Sequence, residues 1–166
     1  MKKLTLIPLK VSWAVESGTP NIQAQLDEDG QAVVHFLAFF GPDIHNGKYK
    51  RVVLHISQLL AFRMLPGHSE GETLDPTRFS IETEPSADLA HSDPAKWLAE
   101  YSAIWRKTGF APTPGVYTVR GVSSWVEELD APKNIIHFIV VGEDCYFEFL
   151  AGEIKIEILE SSEVNG

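Results

Sequence analysis

Residues 134–160 read NIIHFIVVGEDCYFEFLAGEIKIEILE, and this stretch decides the fold class. Three apolar runs, 134–141, 145–150 and 153–159, are separated by short breaks. The spacing predicts a three-stranded meander. In the last run Ile154, Ile156 and Ile158 point one way while Glu153, Lys155 and Glu157 point the other. That is the alternation of a half-buried edge strand with charged gatekeepers. In the first hairpin, parity assigns faces, because opposite residues of an antiparallel pair share one. Ile136, Phe138 and Val140 join Cys145, Phe147 and Phe149 on a wholly apolar face. Ile135, His137, Ile139 and Val141 join Tyr146, Glu148 and Leu150 on the other. Only an even-numbered loop keeps these faces together. A Gly142-Glu143 type II′ loop sets His137 directly opposite Glu148. A Glu143-Asp144 loop sets Ile139 opposite Glu148 and leaves His137 as its diagonal neighbour.

Upstream the pattern stays strand-rich. The run from Leu4 to Leu9 reads as a first strand, and the whole of 4–15 is rich in β-branched and apolar residues. Residues 23–26 and 31–39 flank Asp27-Glu28-Asp29-Gly30, a hairpin turn whose Asp and Gly supply positive φ. Asn46-Gly47 is a second turn signal, and residues 50–57 suit a central strand. Residues 59–65 fit either strand or helix. Residues 66–92 are the loosest region, rich in Gly, Pro and acid, with only 79–82 resembling a strand. The helix is at 94–107: Asp93 caps it, Pro94 opens it, Arg106 and Lys107 complement its C-terminal dipole and Gly109 ends it. Trp97, Leu98, Tyr101, Ile104 and Trp105 form one apolar stripe, so the three aromatic residues are expected to be buried. Residues 115–119 read as a further strand, and Ser124 with Glu127 has capping-box form before a short helical turn. The expectation is α+β: a twisted antiparallel sheet, or two packed sheets, with one main helix against it. Residues 1–166 form a single domain on this reading.

Composition agrees with a globular chain. Of 166 residues, 44% are hydrophobic and 22% charged, which excludes global disorder. The formal charge of −9 disfavours nucleic-acid binding, which needs a basic face to displace counterions. The acidity is uneven: residues 111–166 hold three Lys/Arg against ten Asp/Glu. A single cysteine, Cys145, cannot form an internal disulfide, which fits a reducing compartment. The N-terminal apolar run from Leu4 to Leu9 contains Pro8 and stops at Lys10, too short for a signal peptide. No stretch approaches a membrane span. The expected location is cytoplasmic, without membrane or nucleic-acid partners.

His137, Glu148 and Tyr146 on one sheet face could serve as an acid–base cluster. That reading requires solvent access to the pair; a buried pair is a core feature. Cys145 is on the opposite face among apolar neighbours that raise its pKa. His68-Ser69-Glu70-Gly71-Glu72 could chelate a metal from a loop, but it lacks the spacing of known metal motifs. No metal or cofactor is expected. No nucleophile elbow, phosphate loop or dinucleotide fingerprint is present.

Trp105-x-x-Thr108-Gly109-Phe110-x-Pro112-x-Pro114-x-x-Tyr117-x-Val119 is followed by Ser124-Trp125 and His137-Phe138-Ile139. It continues through Gly142-x-Asp144-x-Tyr146-x-Glu148-x-Leu150-Ala151. Over residues 97–151 this pattern resembles a group of small uncharacterised bacterial proteins, some of them associated with the immunity partners of secreted toxins. The resemblance implies a shared fold and brings no catalytic residues. It favours a non-enzymatic binding module of immunity type whose acidic surface engages a basic partner. Glu143, Asp144, Glu153, Glu157 and Glu160 are the candidate contact residues. The alternative is a small hydrolase or ligand-binding enzyme built on His137, Glu148 and Tyr146.

Overall fold

A computed structural model of the chain describes residues 3–16, 22–42, 48–68, 73–82, 85 and 87–160. In chain order the elements are β1 (Leu4–Pro8), β2 (Trp13–Val15), β3 (Gln23–Leu26), β4 (Ala32–Phe40), β5 (Lys48–Ser57), β6 (Ala61–Pro66) and β7 (Phe79–Ile81). There follow α1 (Ala87–Ser92), α2 (Pro94–Thr108), β8 (Val116–Val119), α3 (Ser124–Glu128), β9 (Ile136–Val141), β10 (Cys145–Ala151) and β11 (Glu153–Leu159).

The strands form two sheets. One runs β6-β10-β9-β8-β1-β7; the other runs β11-β5-β4-β2, with β3 also paired to β4. Their inward faces interdigitate, as in other packed-sheet folds. Trp13, Val34, Phe36, Leu54 and Ile56 of the second sheet meet Val116, Phe138, Val140, Phe147 and Phe149 of the first in one buried cluster. The fold is thus α+β with two packed sheets. The predicted apolar face of the β9–β10 hairpin supplies Phe138, Val140, Phe147 and Phe149 to this core, with Cys145 at its margin, whereas Ile136 at the end of the face is exposed. Among the described residues every strand pairing is antiparallel except β1 with β7, which are parallel and make the first sheet mixed.

Topology extends one sequence expectation and corrects another. The first strand forms as β1, and the apolar stretch to Val15 holds a second, β2. After Pro8 the chain crosses over, with the Leu9 N–H donating to the Val116 carbonyl, and β2 joins the other sheet. Residues 134–160 are not a meander. β9 pairs with β10, but at Gly152 the chain passes to the second sheet, where β11 pairs with β5 from Glu153↔Ser57 to Leu159↔Arg51. The alternation of β11 marks it correctly as an edge strand and carries no information about its neighbour.

The hairpin β3–β4 forms as read: the Asp27 carboxylate accepts from the N–H groups of Asp29 and Gln31 at 3.0 and 2.9 Å, and Gly30 takes φ 73°. The ambiguous stretch before Pro66 is the strand β6. The turn at Asn46-Gly47 lies outside the described residues. The loose region contributes β7 and a six-residue helix, α1, that shows no readable periodicity.

Helix α2 forms as its caps dictate. The Asp93 carboxylate accepts from the Lys96 N–H at 3.0 Å, and Gly109 at φ 75° donates its N–H to the Trp105 carbonyl. Tyr101 and Trp105 are buried against Ala14, Ala111 and the outward-facing Phe39, whose ring lies 5.5 Å from that of Trp105. Trp97 is only half-buried, contrary to the stripe's prediction, because it stands at the wall of a cleft. Near that cleft β2 and the start of β8 approach closely. Gly115 has φ 80°, and a Cβ there would lie 2.7 Å from Val15 Cγ2. Only glycine fits both conditions.

Candidate functional site

The outward face of the first sheet carries the predicted His137, Tyr146 and Glu148, brought together by register. The Gly142 N–H donates to the Cys145 carbonyl, so Glu143-Asp144 is the two-residue loop. Glu148 then faces Ile139, and His137 faces Leu150. His137 is a diagonal neighbour of Glu148, within reach of a long side chain. Its Nε2 lies 3.1 Å from Glu148 Oε2. A carboxylate only accepts, so Nε2 carries the proton and donates.

The cluster is larger than the sequence reading found. Arg63 stands opposite Glu148 on β6 and donates from Nε to Oε2 at 2.9 Å. Arg78, just before β7, donates to the Tyr146 hydroxyl at 2.8 Å and reaches Glu148 Oε1 at 3.4 Å. The Ser123 hydroxyl lies 2.9 Å from His137 Nδ1. Trp125 closes the top, with the Arg63 guanidinium 4.1 Å above its ring and the His137 ring 5.4 Å away. Burial pushes the Glu148 carboxyl up, but the hydrogen bonds from His137 and Arg63 and the Arg63 charge outweigh it and hold the group below the usual carboxylate range. Glu148 is therefore a buried anion held between two arginines. Burial raises the Tyr146 hydroxyl, with Arg78 opposing.

Ser123, His137 and Glu148 have the connectivity of a nucleophile relay, yet their exposures are 1%, 3% and 0%. Ser123 also caps α3, accepting from the Val126 N–H at 3.4 Å, so the cap is Ser123 and not Ser124 as the capping-box spacing implied. The solvent access that acid–base chemistry needs is absent from this conformation. Nothing in the local sequence pairs Arg63 or Arg78 with Glu148; an arginine inside an otherwise apolar run was the one available signal. Cys145 lies beside Glu143-Asp144, and burial together with the Asp144 charge raises its thiol.

The five candidate contact carboxylates separate into two groups. On β11 and just after it each acid has a polar partner from a basic residue: Glu153 lies 3.7 Å from the Lys155 ammonium, Glu157 2.7 Å from the His55 imidazole and Glu160 2.9 Å from the Lys50 ammonium. That surface is mixed rather than purely acidic. Glu143 and Asp144 are exposed at the β9–β10 turn, which Thr73 braces by donating to the Glu143 carbonyl at 2.6 Å. Beside this turn is a cleft of about 580 Å³. Its walls include Gly142, Thr73, Glu16, Phe39, Tyr49, Trp97, Tyr101 and Tyr117. The ring centroids of Trp97 and Tyr101 are 4.9 Å apart. Burial pushes the Tyr101 and Tyr117 hydroxyls up, so both stay protonated.

Among the described residues no group of three or more His, Cys, Asp or Glu is placed to hold a metal ion. The loop at 69–72 lies outside them; His68 is 3.9 Å from Asp75. No described helix is long and apolar enough to cross a membrane. The chain matches no family model, no curated protein and no solved structure.

Proposed function

We propose that this chain is a non-enzymatic binding module that engages a basic protein partner through its acidic C-terminal third, in the manner of an immunity protein blocking a nuclease-like toxin. One observation carries the reading: the exposed carboxylates of Glu143 and Asp144 follow directly on Gly142, a wall residue of the aromatic cleft. Such a site suits a lysine or arginine anchor. The aliphatic stem and cationic head pack on aromatic rings while carboxylates attract the charge. Glu153, Glu157 and Glu160 extend the acidic field but are already engaged by Lys155, the His55 imidazole and Lys50, so the turn is the centre of the contact.

The test is cross-linking in a lysate of the source cells, identification of the partner, and association kinetics at two salt concentrations. The partner should be basic, and association should slow as salt rises, because exposed charges are screened beyond ~8 Å at physiological ionic strength. Reversing Glu143 and Asp144 to Lys should slow association about tenfold or more without lowering stability. Trp97→Ala should speed dissociation instead. An acidic partner, or association that ignores both salt and the reversal, refutes the proposal.

A second reading rests on the Ser123–His137–Glu148 chain of hydrogen bonds, which would serve a hydrolase if Trp125 and Arg63 swung away. An organophosphonate probe that labels Ser123 in the native protein would favour it; absence of labelling at Ser123 would leave the cluster structural.

A further inference from the structure

Strand β11 edges its sheet, and among the described residues no strand pairs with its outer side. Ile154, Ile156 and Ile158 stand opposite Ile56, Leu54 and Val52 on the inward face. Ile154 packs against the core, but Ile156 and Ile158 are 39% and 41% exposed. The same side of the sandwich holds the other sheet's edge, β6, since β5 leads into β6 through residues 58–60 and β10 into β11 through Gly152. There Met64, opposite the core residue Phe147, is 62% exposed. Inward-facing apolar side chains are thus left uncovered along an open edge, which is a template for a further strand.

The charge pattern of β11 selects what that strand can be. In a two-fold antiparallel pairing of β11 with itself, a centre at Ile156 places Lys155 opposite Glu157 of the second copy, twice by symmetry. It also places Ile154 opposite Ile158. A centre at Lys155 would oppose Lys155 to itself and Glu153 to Glu157. A centre at Glu157 would oppose that carboxylate to itself. Opposite charges across strands stabilise a pair and like charges destabilise it, so one register is favoured and its neighbours are disfavoured. The carboxylate of Glu157, already 2.7 Å from His55, has a second oxygen for the lysine.

We infer that the β11 edge is a homodimer interface, in which two copies pair antiparallel about Ile156 and join their five-stranded sheets into one. Ile156, Ile158 and Met64 of each copy then lie beside those of the other. The interface takes Glu157 from the outer acidic field of the partner reading but leaves its centre, the Glu143–Asp144 turn, untouched, so the two proposals are tested by different substitutions.

The test is sedimentation equilibrium of the full chain across the concentration range of weak to moderate association, about 1 μM to 1 mM. The wild type should dimerise, and amide exchange in β11 should slow as concentration rises. Lys155→Glu alone or Glu157→Lys alone turns both symmetric pairs repulsive and should weaken the dimer about tenfold or more. The swap Lys155→Glu/Glu157→Lys restores opposite charges across the axis and should restore dimerisation. Circular dichroism checks that each variant folds, and Ile156→Lys serves as a second disrupting variant. A chain that is monomeric at the highest concentration overturns the inference. So does a dimer indifferent to the single reversals, or one that the double swap fails to rescue.

Discussion

Replacing Glu148 by Gln tests whether the buried anion holds the outer face of the first sheet together. The substitution keeps the shape and removes the charge. Glu148 Oε2 receives the strongest contacts, from His137 Nε2 at 3.1 Å and Arg63 Nε at 2.9 Å. A glutamine would keep its carbonyl there and turn its NH₂ toward Arg78, the partner at 3.4 Å. Arg78 then meets a donor, and Arg63 loses its counter-charge. Removing one partner of a fully buried pair costs about 3–5 kcal/mol. Here the Arg63 and Arg78 side chains are 37% and 30% exposed and recover hydration, so about 2–3 kcal/mol is expected. For a chain of this size that lowers Tm by roughly 5–10 °C. The pH dependence gives a second readout. The folded pKa of Glu148 lies below the ordinary value of 4.5. Its stabilisation is therefore complete above that value and is lost as pH falls through the folded pKa. Thermal unfolding of both proteins from neutral pH downward should show a gap that is constant above pH 4.5 and closes below it. A Gln variant as stable as the wild type at neutral pH, or a gap that persists in acid, would refute the account of Glu148 as an anion stabilised by its arginines.

Trp105→Ala should lower stability by about 3–5 kcal/mol, measured by denaturant unfolding, since the indole is buried against Phe39 and Ala111. An unchanged midpoint would mean α2 does not dock on the second sheet. Gly115→Ala should cost about 1–3 kcal/mol through its positive φ and the contact with Val15. Adding Val15→Ala should recover the part due to the clash, and failure to recover any would assign the whole cost to the backbone.

Local patterns carried the elements that are specified locally. Helix α2 was legible because its cap at Asp93, its stop at Gly109 and its aromatic stripe all lie within its own residues. The turn at Asp27–Gly30 was legible for the same reason, and so was the shared face of His137 and Glu148, since strand parity is a property of the chain. Even there the sequence left two loops open. The Gly142–Cys145 hydrogen bond chose between them and made the pair diagonal. What tertiary structure decided is everything that joins distant segments. Arg63 and Arg78 precede Glu148 by 85 and 70 residues, and only the neighbouring of β6, β10 and β7's approach loop sets them around one carboxylate. The partner of β11 is of the same kind, for an amphipathic strand fits beside any complementary edge. The loop closures that bring such segments together depend on the whole assembly of two sheets around one core, so no window of the sequence encodes them.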